Sequence, residues 1–422
     1  MSKMQGTKEK LSSQETHTPS DSIHASSMPR YMTLLFAVVC GMSVANIYFA
    51  QPLLDHLSKE FGIDYSTIGI LITITQIFYA VGLLLLVPLG DLLNQRRLII
   101  GQMLLSVVAL IIVGTASSST VLFVGMASVG LLAVVTQTFV AFAATMAAPA
   151  ERGRVVGMVT SGIVIGILLA RSISGILTDL AGWRSVYLFS AALMLCMVCT
   201  LFRVLPNVER EVKTLSYAQL LSSVFMLFVQ ERVLRIRAIL ALLIFTAFSI
   251  LWTSVVLPLS APPLSLSHTA IGAFGLAGIV GALAAARAGK LADQGHGQRT
   301  TGIALLLLLI SWWFISFTEQ SLFALVIGIV LLDLAVQAVH VTNQSIILTL
   351  RMEARSRLTA GYMVFYSIGS ATGSIASTQI YSHYGWNGVC WLGASVSAVA
   401  FLFWALTLRA TNVALQRRPA WK

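Results

Sequence analysis

Asp333, Gln337, His340 and Gln344 stand at i, i+4, i+7 and i+11 inside the run 322–349, the most polar of the membrane-length runs. Residues so spaced share one face of an α-helix. Asp333 comes about 11 residues, roughly 16 Å, into the run, which is mid-depth in a hydrocarbon layer about 30 Å thick. An acidic side chain at that depth is costly and marks an ion or proton path. Asp333 is therefore the candidate proton-coupling group. His340, an imidazole able to take up and release a proton near neutral pH, is a second titrating site or a hydrogen-bonding contact for a ligand. The alternative for both is structural: Asp333 fastened to a fixed partner, and His340 packed as a neutral ring.

Arg171 is the one cation inside an apolar run, about 16 residues or roughly 24 Å into the segment 155–178. It reads as a charge partner for an anionic group, or as a side chain that snorkels to the headgroups. Other polar side chains at depth are Asn46, Tyr48 and Gln51, then Thr136 and Gln137, then Thr246, Ser249, Trp252 and Thr253. Asn46, Tyr48, Gln51, Gln137, Trp252, Gln337 and Arg171 are the candidate ligand contacts. For any single Asn or Gln, a hydrogen bond between helices is the alternative. No enzyme site is expected, because the seven histidines are scattered over tail, loops and apolar runs. No cofactor or metal is expected either, and no G-x-x-x-x-G-K-[ST] phosphate loop occurs. Cys196 and Cys199 have C-x-x-C spacing but lie in an apolar run, and read with Cys40 and Cys390 as small packing residues.

The elements that position these residues are membrane spans. Hydrophobic residues form 57% of the chain and charged residues 10%, against about 25% charged in soluble domains. Apolar runs near 32–54, 66–88, 98–116, 120–147, 155–178, 184–204, 236–258, 270–288, 301–317, 322–349, 358–381 and 387–408 predict twelve transmembrane helices, not barrel strands. With both termini cytoplasmic, every Lys and Arg except Lys59, Arg184 and the in-span Arg171 falls on the cytoplasmic side. That asymmetry accounts for the net charge of +11 without a nucleic-acid partner. The expected organisation is a disordered cytoplasmic tail (1–30), a six-helix bundle (31–204), a central cytoplasmic loop (205–235), a second six-helix bundle (236–409) and a cytoplasmic tail (410–422). Within the central loop, the apolar stretch from Leu215 to Val229 is too short to span and reads as an interfacial helix.

The two halves repeat each other. Arg152 and Arg154 recur as Arg355 and Arg357, Gly166 as Gly369, Gly182-Trp183 as Gly385-Trp386, Asp91 as Asp293 and Arg97 as Arg299, at a nearly constant offset. Six helices between equivalent points leave both halves in the same orientation. Small-residue stripes stand at Gly162, Gly166 and Gly175, at Gly272, Gly275, Gly278 and Gly281, and at Gly369 and Gly373, where backbones can approach closely. Spans 2, 5, 8 and 11 are therefore expected at the interface between halves, and the apolar spans 3, 6, 9 and 12 outside.

The loop Val87-Pro-Leu-Gly-Asp91-Leu-Leu-Asn-Gln-Arg96-Arg97, echoed in Gly289-Lys-Leu-Ala-Asp293, resembles the G-x-x-x-D-R/K-x-G-x-R/K-R/K signature of the major facilitator superfamily. Val87, Leu92 and Asn94 replace the two glycines and the first basic residue. The resemblance implies a transporter with spans 1, 4, 7 and 10 around a central cavity. It also implies an inside gate of Asp91, Arg96, Arg97, Asp293 and Arg299, with Asp91 docked on the start of span 11 near Leu358. A carboxylate there meets unsatisfied N–H groups and the helix dipole. The run Gly162 to Gly175 resembles the glycine-rich span 5 of proton-coupled drug exporters, with Ala170-Arg171 in place of a Gly-Pro pair. Met126 and Val129 stand where span 4 of the family often carries Arg and Gln, so Arg171 is the cation that remains.

The expected function is export of a small organic solute, drug-like or sugar-like, in exchange for protons, by a monomer in a bacterial inner membrane. Proton-coupled nutrient uptake is the alternative; a sensor or a membrane enzyme is further off. In a background lacking the native cysteines, Ser12→Cys should be protected from an impermeant maleimide in intact cells and Ser118→Cys labelled; the reverse pattern would overturn the orientation.

Overall fold

A computed structural model of the protein describes residues 29–147, 151–206, 216–351 and 354–416. The N-terminal tail before residue 29, residues 207–215 of the central loop and the C-terminal tail after residue 416 lie outside the described residues. Every described element is helical.

The first half comprises α1 (Arg30–Tyr48), α2 (Leu54–Phe61), α3 (Ile70–Leu85), α4 (Gln95–Gly114), α5 (Ser119–Leu132), α6 (Val135–Met146), α7 (Arg152–Ala181) and α8 (Trp183–Val204). Next comes α9 (Tyr217–Gln230), then α10 (Arg232–Ser254), α11 (Val256–Ser260), α12 (His268–Leu291), α13 (Gly297–Ile315), α14 (Leu322–Leu348) and α15 (Arg355–Gln416). Ten helical stretches are long and apolar enough to cross a membrane. They differ from the expected twelve at two places. The last stretch, Arg357–Arg409, is one run of 53 residues, yet Gly385 breaks it into two arms with φ 61° and ψ −161°. The described apolar part of α12, His268–Ile279, is shorter than the ten.

Gly182 repeats the device of Gly385. Its φ is 79°, which favours glycine, and it turns the chain from α7 into α8. The tryptophan after each is buried, Trp183 and Trp386 alike. The duplicated Gly-Trp pair is thus a reversal followed by an anchor. Asn94, which departs from the resembled loop signature, caps α4 by accepting from the Arg97 backbone N–H at 3.2 Å.

Apolar side chains on α4 (Leu104, Leu105, Val108), α8 (Phe189, Leu195), α13 (Ile303, Trp313) and the second arm of α15 (Trp391, Leu402, Leu406) are exposed, as expected for outward-facing helices. Inside, α7 runs along both α1 and α12, and α3 runs along α5 and the first arm of α15. The glycine stripes decide how closely. A Cβ on Gly162 would stand 2.1 Å from the Ala37 carbonyl oxygen, and one on Gly166 2.2 Å from that of Gly41. Gly369 and Gly373 approach the Leu242 and Thr246 carbonyls of α10 in the same way, at 2.2 and 2.4 Å.

These four glycines therefore seat α7 on α1 and α15 on α10, inside each half, rather than between the halves as expected. A stripe shows that a neighbour is close, but a helix has several faces and the stripe does not name the neighbour. The contact between halves uses Gly175 against His268, Gly272 against Arg171, Gly275 against Leu168, and Gly69 against Ser374. Gly166→Ala should lower stability by roughly 1–3 kcal/mol through overpacking, read as a lower melting temperature in detergent. Gly157→Ala, with nothing within 4 Å of the added carbon, should leave melting unchanged.

Candidate functional site

α7 presents Arg171 to the boundary between the halves, and α14 presents Asp333 to it from the other side. The guanidinium does not snorkel: Arg171 is 2% exposed. Its Nε donates to Gln51 Oε1 at 2.9 Å and its Nη1 to the Ile167 carbonyl at 3.4 Å. Its Cζ lies 3.8 Å from the centre of the Trp252 ring, with Tyr48 at 5.4 Å and Phe248 at 5.5 Å. Guanidinium over a desolvated aromatic face contributes about 2 kcal/mol or more. The ring that stacks on the cation also holds the anion, because Trp252 Nε1 donates to Asp333 Oδ1 at 3.1 Å.

Asp333 is 3% exposed and close enough to Arg171 for their charges to interact. One valence on each remains open: Arg171 Nη2 and Asp333 Oδ2 are buried without a hydrogen-bond partner. Both side chains line one narrow cavity with Leu168, Phe248, Gly278 and Gln337. Gly278 of α12 is what admits the carboxylate, since a Cβ there would stand 2.4 Å from Asp333 Oδ2.

Gln51, Tyr48, Trp252, Gln337 and Arg171 therefore converge as a set. Asn46 and Gln137 do not join it. Asn46 accepts from the Ser190 hydroxyl at 2.6 Å, inside the first half. Gln137 Nε2 donates to the Tyr79 hydroxyl at 3.5 Å. Both are spent on the helix-to-helix bonds named as their alternative.

A layer of aromatic side chains adjoins the site. The Tyr48 hydroxyl bonds the Tyr366 hydroxyl across the two halves. Phe245 stacks edge-on against Tyr366 at 4.0 Å and against His340 at 5.1 Å. His340 Nδ1 lies 2.9 Å from the Tyr362 hydroxyl, to which Asn343 Nδ2 donates at 3.5 Å. Asn343 Oδ1 then accepts from Arg237 Nη1 at 3.1 Å, and the same nitrogen reaches Thr301 Oγ1 at 3.4 Å. A polar chain thus leads from His340 to Arg237.

Arg237 is a site neighbour that the sequence does not mark. At the edge of its apolar run it reads as one more topogenic arginine, yet it is 1% exposed. Its only sequence signal is an Asn on a facing span, which is weak. Phe248 is likewise unmarked, although it stands one helical turn before Trp252 on the same face.

Only three members of the expected inside gate, Arg96, Arg97 and Arg299, have described side chains. The side chains of Asp91 and Asp293 lie outside the described residues, and Arg97 and Arg299 are exposed. Arg96 turns to its own half, donating from Nη2 to the Phe202 carbonyl at 2.5 Å with its guanidinium 5.5 Å from the Phe202 ring. Carbonyls in the last turn of a helix lack intrahelical partners, so the end of α8 offers Arg96 a nearer acceptor.

If Arg171 and Asp333 stabilise each other, removing one should cost more than removing both. We expect Arg171→Met and Asp333→Asn each to lower stability, with the double variant recovering a coupling of about 1–2 kcal/mol. Thermal melting of all four proteins in detergent measures it, and additive losses would refute mutual stabilisation.

The description Major Facilitator Superfamily belongs to a family model that matches residues 33–301 and, in a second match, 238–422. A protein of Escherichia coli (strain K12) named as an uncharacterized transporter, YgaY, is 47% identical over 373 residues, covering 88% of this chain and 94% of its own length. Among solved structures, a bacterial homolog of the human lysosomal transporter Spinster, inward-facing and unoccupied, superposes with a TM-score of 0.73 at 14% identity, covering 93% of this chain and 98% of that one. The human organic anion transporter MFSD10 (TETRAN) gives 0.68 at 16% identity, covering 89% of this chain and 100% of that one. At such identities the two structures speak for the fold alone, and the family model with the E. coli relative settles the rest: the chain is a multi-pass transporter, not an enzyme, and it belongs to the major facilitator superfamily.

Proposed function

We propose that the chain is a proton-coupled secondary transporter that exports a small organic solute by alternating access. In this reading it has twelve spans, with both termini in the cytoplasm of a bacterial cell, and works as a monomer in the inner membrane. The observation that carries the reading is the pair of opposite charges with open valences, one from each half, on a single buried cavity.

Charge on Asp333 attracts the Arg171 guanidinium and so draws α14 toward α7 across the boundary between halves. Protonation removes that attraction and frees the halves to reorganise, so one proton binding event biases a two-state equilibrium. His340, linked to Tyr362, Asn343 and Arg237, gives the proton a polar route along the second half.

Closure at one end is already built. Asp179, near the end of α7, accepts from the Thr269 backbone N–H at 2.7 Å and contacts His268 Nδ1 at 3.0 Å, both at the start of α12. Ser172 donates to the Gly272 carbonyl at 2.9 Å, and Thr73 of α3 to the Ala371 carbonyl of α15 at the same distance. In the proposed topology this end is periplasmic.

The test uses a ligand found by a thermal-shift screen of the purified protein, reconstituted in vesicles under an imposed pH gradient. Asp333→Asn should abolish gradient-driven accumulation while retaining ligand binding or gradient-independent exchange. Uphill movement by that variant would place coupling elsewhere, and the direction of wild-type flux separates export from uptake.

A further inference from the structure

We infer that the substrate is a small zwitterion with an apolar side group, of the kind an α-amino acid provides, its anionic group on Arg171 and its ammonium on Asp333. This rests on the transport reading above and names the substrate class of the same site. The observation behind it is that two side chains of opposite charge line one cavity and each keeps a buried atom without a hydrogen-bond partner: a donor, Arg171 Nη2, and an acceptor, Asp333 Oδ2. Each belongs to a side chain whose remaining polar contacts are fixed, by Gln51 and the Ile167 carbonyl for Arg171 and by Trp252 for Asp333. The side chains are therefore oriented before anything binds, and the two open atoms are what the protein leaves for a ligand.

Charge accounting then selects among ligand classes. A simple anion would satisfy Arg171 but set a second negative charge beside ionised Asp333, and a simple amine would satisfy Asp333 but set a second positive charge beside Arg171. In a water-excluded site neither repulsion is screened. A zwitterion answers both valences and adds no net charge. The rest of the lining is apolar, with Val164, Ile167, Leu168 and Phe248 facing the cavity and Gln337 the one neutral polar group. The cavity, at about 10 Å³, holds no more than one water and must widen to admit a ligand. Its wall then suits an aliphatic or aromatic side group better than a sugar, whose hydroxyls would go unpaired.

The class also explains coupling. The substrate ammonium and a proton require the same oxygen of Asp333, so the carboxylate holds one or the other. When the zwitterion arrives, the Asp333 proton leaves to solvent and the carboxylate accepts an N–H from the ammonium; when the zwitterion leaves, the carboxylate can be protonated again. Exchange follows from competition for a single acceptor.

Matched ligands test this on the wild-type protein without relying on any variant to fold. L-Leucine, 4-methylpentanoate and 3-methylbutylamine share one side group and differ by one charge; L-phenylalanine, 3-phenylpropanoate and 2-phenylethylamine form a second series. Titration calorimetry should show an amino acid of at least one series binding, with both of its single-charge analogues weaker by about tenfold or more, the cost of a lost charge-assisted hydrogen bond. In Asp333→Asn the deaminated analogue should bind at least as tightly as the amino acid, whose ammonium then lacks an acceptor beside Arg171. In Arg171→Gln the amine should bind at least as tightly as the amino acid, whose carboxylate then lacks a donor beside Asp333. An acid or amine that binds the wild type as tightly as its amino acid, or no binding by either amino acid, overturns the inference. Its failure is separable from that of proton coupling. If an acid binds best while Asp333→Asn still loses gradient-driven flux, the substrate class falls and coupling stands. If the amino acid binds as expected but Asp333→Asn drives it uphill, coupling falls and the class stands.

Discussion

The Arg171 guanidinium lies out of reach of water between Trp252, Phe248 and Tyr48, with Asp333 as its counter-charge, and this placement governs what the surrounding helices can be. Arg171 and Asp333 interact at longer range than a direct ion pair. Even about 4 Å apart, two opposite charges attract by about 4 kcal/mol at an effective dielectric near 20, and by less farther apart, whereas stripping either one of water costs several kcal/mol. Coulomb attraction alone leaves little margin. The aromatic faces and the Gln51 amide make up the difference, which is why a tryptophan that both stacks on the cation and donates to the anion sits on α10 between them. A phenylalanine there would keep a weaker aromatic face for the cation but lose the donor to Asp333.

Close helix approach is the second constraint, and it follows from the first. Arg171 can reach Gln51 only because α7 is seated on α1 by Gly162 and Gly166, and Asp333 can face the boundary only because Gly278 clears α12 from its path. In lipid, no hydrophobic effect draws one helix to another, so backbone contact at glycines and hydrogen bonds such as Ser172 to the Gly272 carbonyl carry the association. Gly166 and its counterpart Gly369 take matching places in the two halves, against α1 in one and α10 in the other. The repeat in the sequence is therefore a repeat in packing.

Much of the fold and part of the site are legible in the sequence, and the limits have physical causes. Hydropathy locates the helices because backbone groups in lipid must bond within their own segment. Charge at depth singles out Arg171 and Asp333, because an ionised side chain far from water persists only where a partner, a ligand or a proton path offsets its desolvation. Polarity without charge is a poorer guide: Asn46 and Gln137 look like Gln51 in sequence, yet Ser190 and Tyr79 occupy them. An amide is satisfied by whichever neighbour is nearest, and sequence does not say which face turns where. Arg237 escapes for the opposite reason. An arginine at the edge of an apolar run is ordinarily solvated, and only the fold, which brings Asn343 and Thr301 over it, buries it.

A site assembled from both halves at their boundary has a consequence that neither half would have alone. Arg171 of α7 contributes its backbone to the close contact with Gly272 of α12 while its side chain lines the cavity. Farther along the same two helices, Asp179 holds the start of α12 by its backbone N–H at Thr269. Carboxylate at a helix N-terminus is a favourable but modest contact, typically about 0.3–1 kcal/mol, so it closes the end of the bundle without locking it. A change in charge at Asp333 is worth more than that. The Asp179 contact is one of several at the closed end, with Ser172 on the Gly272 carbonyl and Thr73 on the Ala371 carbonyl, and the helix pair α7 and α12 connects that end to the cavity directly. In the proposed cycle, coupling between binding and opening would need no long chain of intermediates, because the same pair of helices lines the cavity and reaches the closed end.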